Sequence, residues 1–130
     1  NPHAIIITER SLFTDKLVFA KMLFESGKIE DVNYQIYLKW FDSFAVECPI
    51  HKIIYVKAKP EICHFRISKR LRSGEEGIPL QYLKECELYH EIMLIEMSCQ
   101  EKLILNGNVD IHENVDQLTA WIEEIRNFIM

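Results

Sequence analysis

Several features are missing from these 130 residues, and each absence narrows the reading. Glycine is scarce: the four stand at 27, 74, 77 and 107, and none precedes a Lys-Ser or Lys-Thr pair. No G-x-x-x-x-G-K-[S/T] run therefore occurs, so no backbone cradle of that kind for phosphate lies within them. No apolar run approaches the ~18 residues of a membrane span, so no membrane partner is expected. Asn1-Pro2-His3 lacks the shape of a signal peptide. Position 1 is not Met, which leads to the expectation that an upstream segment precedes it. Basic residues are in deficit, 15 Lys and Arg against 20 Asp and Glu, for a net charge of −5. A dedicated nucleic-acid binder needs a basic surface, so nucleic acid is not expected as a partner. The four cysteines, at 48, 63, 86 and 99, form no C-x-x-C pair. Reduced, mostly buried thiols in a cytosolic compartment are the expectation. His90-Glu91 opens like a zinc-protease helix, but Leu94 stands where the second histidine belongs, so no metal site is read there.

What is present is ordinary globular composition, 48% hydrophobic and 27% charged, in a chain long enough for one domain with one core. His3–Thr8 is a short apolar run rich in β-branched residues, the pattern of a strand buried on both faces. Lys52–Val56 repeats it, and Lys102–Leu105 repeats it more briefly. Helical spacing lies between. Val32, Ile36, Tyr37, Trp40, Phe41 and Phe44 form one broad apolar stripe. Pro60 and Pro79 read as first-turn prolines, and after Pro79 the residues Leu83, Cys86, His90, Met93 and Met97 step by three and four. Asn114 caps a last helix with Gln117 three residues on, its seam being Val115, Leu118, Ile122, Ile125 and Ile129. Strands alternating with helices predict an α/β fold with a mostly parallel sheet.

Two places break this pattern. Glu9-Arg10-Ser11 directly follows the first strand, and open parallel sheets bind ligands beyond the carboxyl ends of their strands. An ion pair with a helix cap is the plainer reading of those residues. Further on, Arg66 and Arg70 share one helix face, with Lys69 and Arg72 beside them, and Gly74 and Gly77 flank Glu75-Glu76. Arginines at the edge of a flexible segment suit a lid over phosphate, where guanidinium forks neutralise developing charge. A solvated charge run between two helices is the alternative.

The two places in one α/β frame resemble the deoxynucleoside kinases, the family of the deoxycytidine, deoxyguanosine, thymidine-two and insect multisubstrate enzymes. The resemblance runs from Ile5 to about Phe128 and is carried by ITERSLFTDKLVFAKMLFESG, IIYVKAKPEICHFRISKRLRSGEEGIPLQYL and LYHEIML. It implies a phosphate-loop-kinase type of parallel sheet flanked by helices, with residues 1–130 forming the C-terminal part of one kinase domain and the lid at about 66–79. It also implies ATP and Mg2+ as cofactors, a deoxynucleoside and a nucleoside triphosphate as partners, and a homodimer formed through the helix from Asp15 to Glu25. Glu9 would face the magnesium. Arg10 would sit beside the sugar 5′-hydroxyl, holding the catalytic carboxylate and the transferred phosphate. Arg66, Arg70 and Arg72 match the lid arginines that grip donor phosphates. Glu75 matches the lid glutamate on the 3′-hydroxyl, with Glu76 one position away as the alternative because Gly74 interrupts the acidic run. Asn106 and Asn108 flank the place where backbone groups contact the donor adenine, and Asn-Gly is also a turn signal in its own right.

Asp15 carries the choice of base. Relatives selective for deoxycytidine and purine deoxynucleosides resemble this sequence in having aspartate there, whereas thymidine-accepting ones have alanine. A carboxylate accepts from an exocyclic amino group and repels a thymine carbonyl; an acid matching the helix dipole is the structural alternative. The family's phosphate loop, general-base glutamate and central strand precede E-R-S, so the resemblance implies a gap between the runs at Ile5 and Ile53. The expected activity is transfer of the γ-phosphoryl of ATP to the 5′-hydroxyl of a deoxynucleoside, in the cytosol, with mitochondrial residence open. The rivals are a thymidylate-like monophosphate kinase and a non-catalytic module that uses the aromatic stripe as a partner surface.

Overall fold

Lys52–Lys57 (β1) and Glu101–Asn106 (β2) pair in parallel, with Lys52 opposite Glu101 and Lys57 opposite Asn106. Parallel neighbours need a long crossover. Here it consists of Pro60–Arg70 (named α3, after two earlier helical segments) and Leu80–Glu96 (α4). The computed structural model describes residues 4–70, 72–98 and 100–130. The strands and their direction agree with the sequence expectation, each extended by a residue or more.

Ahead of the sheet lie the helical segment 12–25 (α1) and the helix Asp31–Phe44 (α2). Ser11 caps α1, its Oγ accepting from the Thr14 amide at 3.4 Å. Asp15–Ala20 then widens into a π turn before α-helical geometry resumes at Lys21–Glu25. Gly27, at φ 72°, closes the segment in the left-handed conformation that glycine adopts without a Cβ penalty. After β2, Val115–Ile129 (α5) is capped by Asn114, whose Oδ1 accepts from the Gln117 amide at 3.1 Å. Pro60 opens α3 as expected, whereas Pro79 is the extended residue just before α4. Among the described residues no helix is long and apolar enough to cross a membrane.

The core joins α1 to α4: Val18 and Met22 pack against Met93, Leu94 and Met97, with Phe13, Leu17, Ile53 and Tyr55 around them. Methionine's unbranched chain suits an irregular junction of this kind. On the other flank, Leu105 of β2 and Trp121 of α5 are buried.

Four sequence expectations are corrected. Ala4–Thr8 makes no ladder among the described residues; Ile5, Ile6 and Ile7 are exposed, and His3 lies outside the described residues. A cleft of about 390 Å³ lies between this segment and the Pro49–Lys52 end of β1, where the resemblance implies a gap. A β-branched run pairs only when a strand lies beside it. The α2 stripe divides: Phe41 is buried and Tyr37 half-buried, while Val32, Ile36, Trp40 and Phe44 face outward. The α5 seam is shifted toward Trp121, which is buried: Leu118, Ile125 and Ile129 are half-buried as a seam requires, whereas Val115 and Ile122 are exposed. The described cysteines are not mostly buried: Cys48 is exposed and Cys63 and Cys86 are half-buried, where burial pushes both thiols up; Cys99 lies outside the described residues.

Candidate active site

The first cluster forms where Ala4–Thr8 turns into α1. Arg10 has φ 61°, a left-handed backbone that side chains with a Cβ rarely adopt. Thr8 Oγ1 donates to the Arg10 carbonyl at 2.8 Å, and the Arg10 guanidinium lies 4.9 Å from the centre of the Phe19 ring. Glu9 and Arg10 thereby line a cleft of about 430 Å³ whose opposite wall is β1 from Lys52 to Val56, with His90 and Met93 at its side. His90 stacks on Tyr55, the ring centres 6.1 Å apart, and its Nδ1 lies 2.6 Å from the Cys86 carbonyl. Burial, with Glu91 nearby, pushes the Tyr55 phenol up to about 12.

Asp15 stands one turn further along α1 and is exposed. The Tyr37 hydroxyl donates to its Oδ2 at 2.6 Å. Nothing in the sequence pattern announces this partner, 22 residues away on another helix.

The second cluster lies beyond the carboxyl ends of β1 and β2. Arg66 of α3 reaches the loop after β2, donating through Nη1 to the Gly107 carbonyl at 2.6 Å and through Nη2 to the Asn108 and Val109 carbonyls at 3.2 and 3.3 Å. Asn108 Oδ1 accepts from the Lys59 amide at 2.8 Å, just before α3 begins, and Asn106 Oδ1 accepts from the Asn108 amide at 3.1 Å. Gly107 donates to the Lys57 carbonyl at 2.7 Å, and a Cβ at that position would stand 3.0 Å from the same oxygen. The side chains of Asn106 and Asn108, with the Arg66 guanidinium, therefore hold the loop itself, and the backbone amides and carbonyls of Gly107 and Asn108 are already engaged within the fold. Arg66 likewise clamps carbonyls here, a different engagement from the phosphate grip that the resemblance implies for it.

Arg70, one turn on, behaves differently. Its Nη2 and Nε both donate to Glu75 Oε2, at 2.6 and 3.1 Å, so the lid's arginine and its glutamate are paired with each other. Glu76 Oε2 instead accepts from the Gly74 amide at 2.8 Å, closing the tight turn of the lid. Arg72, Glu75 and Glu76 line a pocket of about 240 Å³ with His64, Ile67 and Ser68. Arg66, Lys69 and Arg70 border another, of about 500 Å³, with Gly107, His112 and Trp121. Val56, near the end of β1, lines both this hollow and the Glu9–Arg10 cleft.

Among the described residues no three His, Cys, Asp or Glu side chains come together as a metal cluster. A divalent ion would find one carboxylate on the cleft wall, that of Glu9. A hollow at the carboxyl end of a parallel strand, bordered by arginines on a helix and a short loop, lies where open α/β sheets bind their ligands.

Comparison with known proteins narrows the class. The family model for deoxynucleoside kinases matches residues 1–130, and the chain belongs to that family. Deoxycytidine kinase 2 of Gallus gallus is 34% identical over 98% of the chain, which covers 53% of that protein. Human mitochondrial thymidine kinase 2 is 34% identical over 98% of the chain and 49% of its own length. Among solved structures, a deoxyadenosine kinase from M. mycoides with bound dCTP superposes with a TM-score of 0.73 at 18% identity, over 91% of this chain and 62% of that one, a likeness of fold. The chain thus spans about half the length of the curated relatives it matches.

Proposed function

We propose that residues 1–130 are the C-terminal part of a single deoxynucleoside kinase domain, one that transfers the γ-phosphoryl of ATP to the 5′-hydroxyl of a deoxynucleoside. The observation that supports this reading is that the Glu9–Arg10 cleft and the Arg66–Arg70 hollow both border Val56, near the carboxyl end of β1. A nucleoside in the first and a triphosphate donor in the second would bring hydroxyl and γ-phosphate together at the end of β1. The phosphate loop and the general base are assigned to residues outside these 130, which hold no G-x-x-x-x-G-K-[S/T] run.

Within the chain the work is positioning and charge neutralisation, the main demands of phosphoryl transfer. Arg10, on the cleft wall with its guanidinium against Phe19, is assigned to the 5′-hydroxyl and the transferred phosphate. Arg70 and Arg72 take the donor phosphates as the lid closes. The Arg70–Glu75 pair is half exposed, and such pairs are worth only about 0–1 kcal/mol, so phosphate oxygens can displace the carboxylate. Glu75, released, is then available to the sugar 3′-hydroxyl. Arg66 serves the donor indirectly, by clamping the Asn106–Asn108 loop that is assigned to the side of the adenine. Mg2+ is held in proteins by one or two carboxylates plus substrate phosphates, and the single carboxylate of Glu9 fits that donor set. When bound, the ion neutralises phosphate charge.

Asp15 selects bases that bear an exocyclic amino group, so deoxycytidine and purine deoxynucleosides are favoured over thymidine. Pairing into a homodimer is assigned to α1, whose Leu23 stays exposed, and the activity is one of nucleotide salvage, assigned to the cytosol with mitochondrial residence open.

The test is a product assay of the full-length protein with Mg-ATP and each of the four deoxynucleosides and deoxynucleoside monophosphates. The reading expects 5′-monophosphates from deoxycytidine or the purine deoxynucleosides, with thymidine poorest. Phosphorylation of monophosphates alone would overturn it in favour of a monophosphate kinase.

A further inference from the structure

Asp15 does not stand alone. The Tyr37 hydroxyl lies 2.6 Å from its Oδ2, and the tyrosine ring is fixed on both sides. Tyr34 runs nearly parallel to it, centres 6.4 Å apart, and itself stacks on Phe24 at 4.2 Å. Phe41, buried, lies 6.3 Å away and meets Phe13, two residues before Asp15, edge-on at 5.4 Å. Donor and acceptor thus hang on one aromatic row spanning α1 and α2. Burial and the neighbouring Asp15 carboxylate push the Tyr37 phenol well above the ordinary tyrosine range, so the donor persists at any working pH.

We propose that Tyr37 is the positioning residue for base choice: its hydroxyl holds Asp15 Oδ2 and so fixes which carboxylate oxygen is presented to the exocyclic amino group of the base. The inference rests on the base-selecting role of Asp15 given above. An aspartate on an exposed helix turn rotates freely about its side-chain bonds, and a freely rotating acceptor discriminates poorly because it can turn away from a mismatched carbonyl. With one oxygen held by Tyr37, the carboxylate keeps one orientation, so the other oxygen accepts from an amino group but cannot turn away from a thymine carbonyl.

The experiment compares kcat/KM for deoxycytidine and thymidine, at saturating Mg-ATP, in the full-length parent and in Tyr37→Phe, Asp15→Ala, Asp15→Glu and the Tyr37→Phe/Asp15→Ala double variant. Tyr37→Phe keeps the ring and the stack, and should lower the deoxycytidine-to-thymidine ratio about tenfold with Tm within ~2 °C of the parent. Asp15→Ala should abolish the preference, and adding Tyr37→Phe to it should change the ratio no further, since both act through one carboxylate. Asp15→Glu keeps the charge but displaces the carboxylate by a methylene, so it should lose selectivity as Tyr37→Phe does; this keeps the test open if Tyr37→Phe folds poorly. An unchanged ratio in Tyr37→Phe beside a collapsed one in Asp15→Ala overturns the role of Tyr37 alone, as does an equal fall for both nucleosides. An unchanged ratio in Asp15→Ala, or a parent without preference, overturns the Asp15 reading beneath it, and no phosphorylation of any nucleoside overturns the kinase reading itself.

Discussion

Arg66 and Arg70 stand one turn apart on the same face of α3, yet they belong to two different regions. Arg66 faces the junction of α3 with the loop after β2, where its partners are three backbone carbonyls. Arg70 faces the lid, where its partner is one carboxylate on a turn between two glycines. Carbonyls built into a loop move only if the loop moves. A half-exposed glutamate exchanges for any better anion at little cost. Identical side chains at helical spacing therefore divide into a clamp and an exchangeable grip, and what divides them is the partner.

If that contrast is right, damage at the junction lowers stability and damage at the lid lowers turnover. Ranked by loss of stability, Arg66→Ala comes first: removing a charged donor from three part-buried carbonyls should cost about 2–3 kcal/mol, read as a lower urea midpoint. Gly107→Ala is next. Its Cβ would meet Val56 Cγ1 at 2.9 Å and the Lys57 carbonyl at 3.0 Å, and crowding of that kind costs about 1–3 kcal/mol. Asn108→Ala leaves the Lys59 amide without its acceptor just before α3, an effect of about 1 kcal/mol, as for a lost helix cap. Glu75→Gln should leave the urea midpoint within about 0.5 kcal/mol of the parent, while raising KM for the nucleoside. A midpoint shift at Glu75 as large as that at Arg66 would erase the distinction between the regions.

A pH series separates both regions from the core behind them. The Tyr89 phenol, bonded to Glu25, and the Tyr55 phenol, buried against His90, are each pushed up to about 12 from an ordinary value of 10.0. A raised value in the folded state means stability that is fully present below pH 10 and lost as pH climbs toward 12. Urea midpoints should be flat from neutral pH to about 8.5, begin to fall near 9 as the raised Cys63 and Cys86 thiols come into play, and fall more steeply above 10; Tyr55→Phe with Tyr89→Phe should blunt the part above 10.

Much of this organisation is legible in the sequence because it is local. The apolar runs at 52–56 and 102–105 pair in parallel as read, Pro60 opens a helix, and Asn114 caps one, each determined by residues within a turn of it. Of the residues that the likeness singles out, Glu9 and Arg10 line one cleft, while Arg70 pairs with Glu75, a contact that the likeness does not imply. What escapes the sequence depends on distant partners. Ala4–Thr8 has the composition of a buried strand but lacks a described neighbour to pair with. The aromatic stripe of α2 is continuous along the helix, and only α1 determines that Phe41 and Tyr37 turn inward while Trp40 and Phe44 do not. The same holds for Arg66, since helical spacing fixes its face and says nothing of the carbonyls that meet it. The left-handed Arg10 is the residue that a sequence pattern is least able to flag, because its conformation is held by Thr8 rather than by a glycine.

The central claim is that Arg70 acts on substrate phosphate and not on the fold. Its most direct test is deoxycytidine phosphorylation by the full-length parent and by Arg70→Ala, with Tm read on the same samples. The account predicts kcat lowered about 100-fold, the size of effect seen when one charge-stabilising donor is removed from a transition state, with Tm within ~2 °C of the parent. A kcat that is unchanged, or that falls only in step with a lost fold, would contradict it.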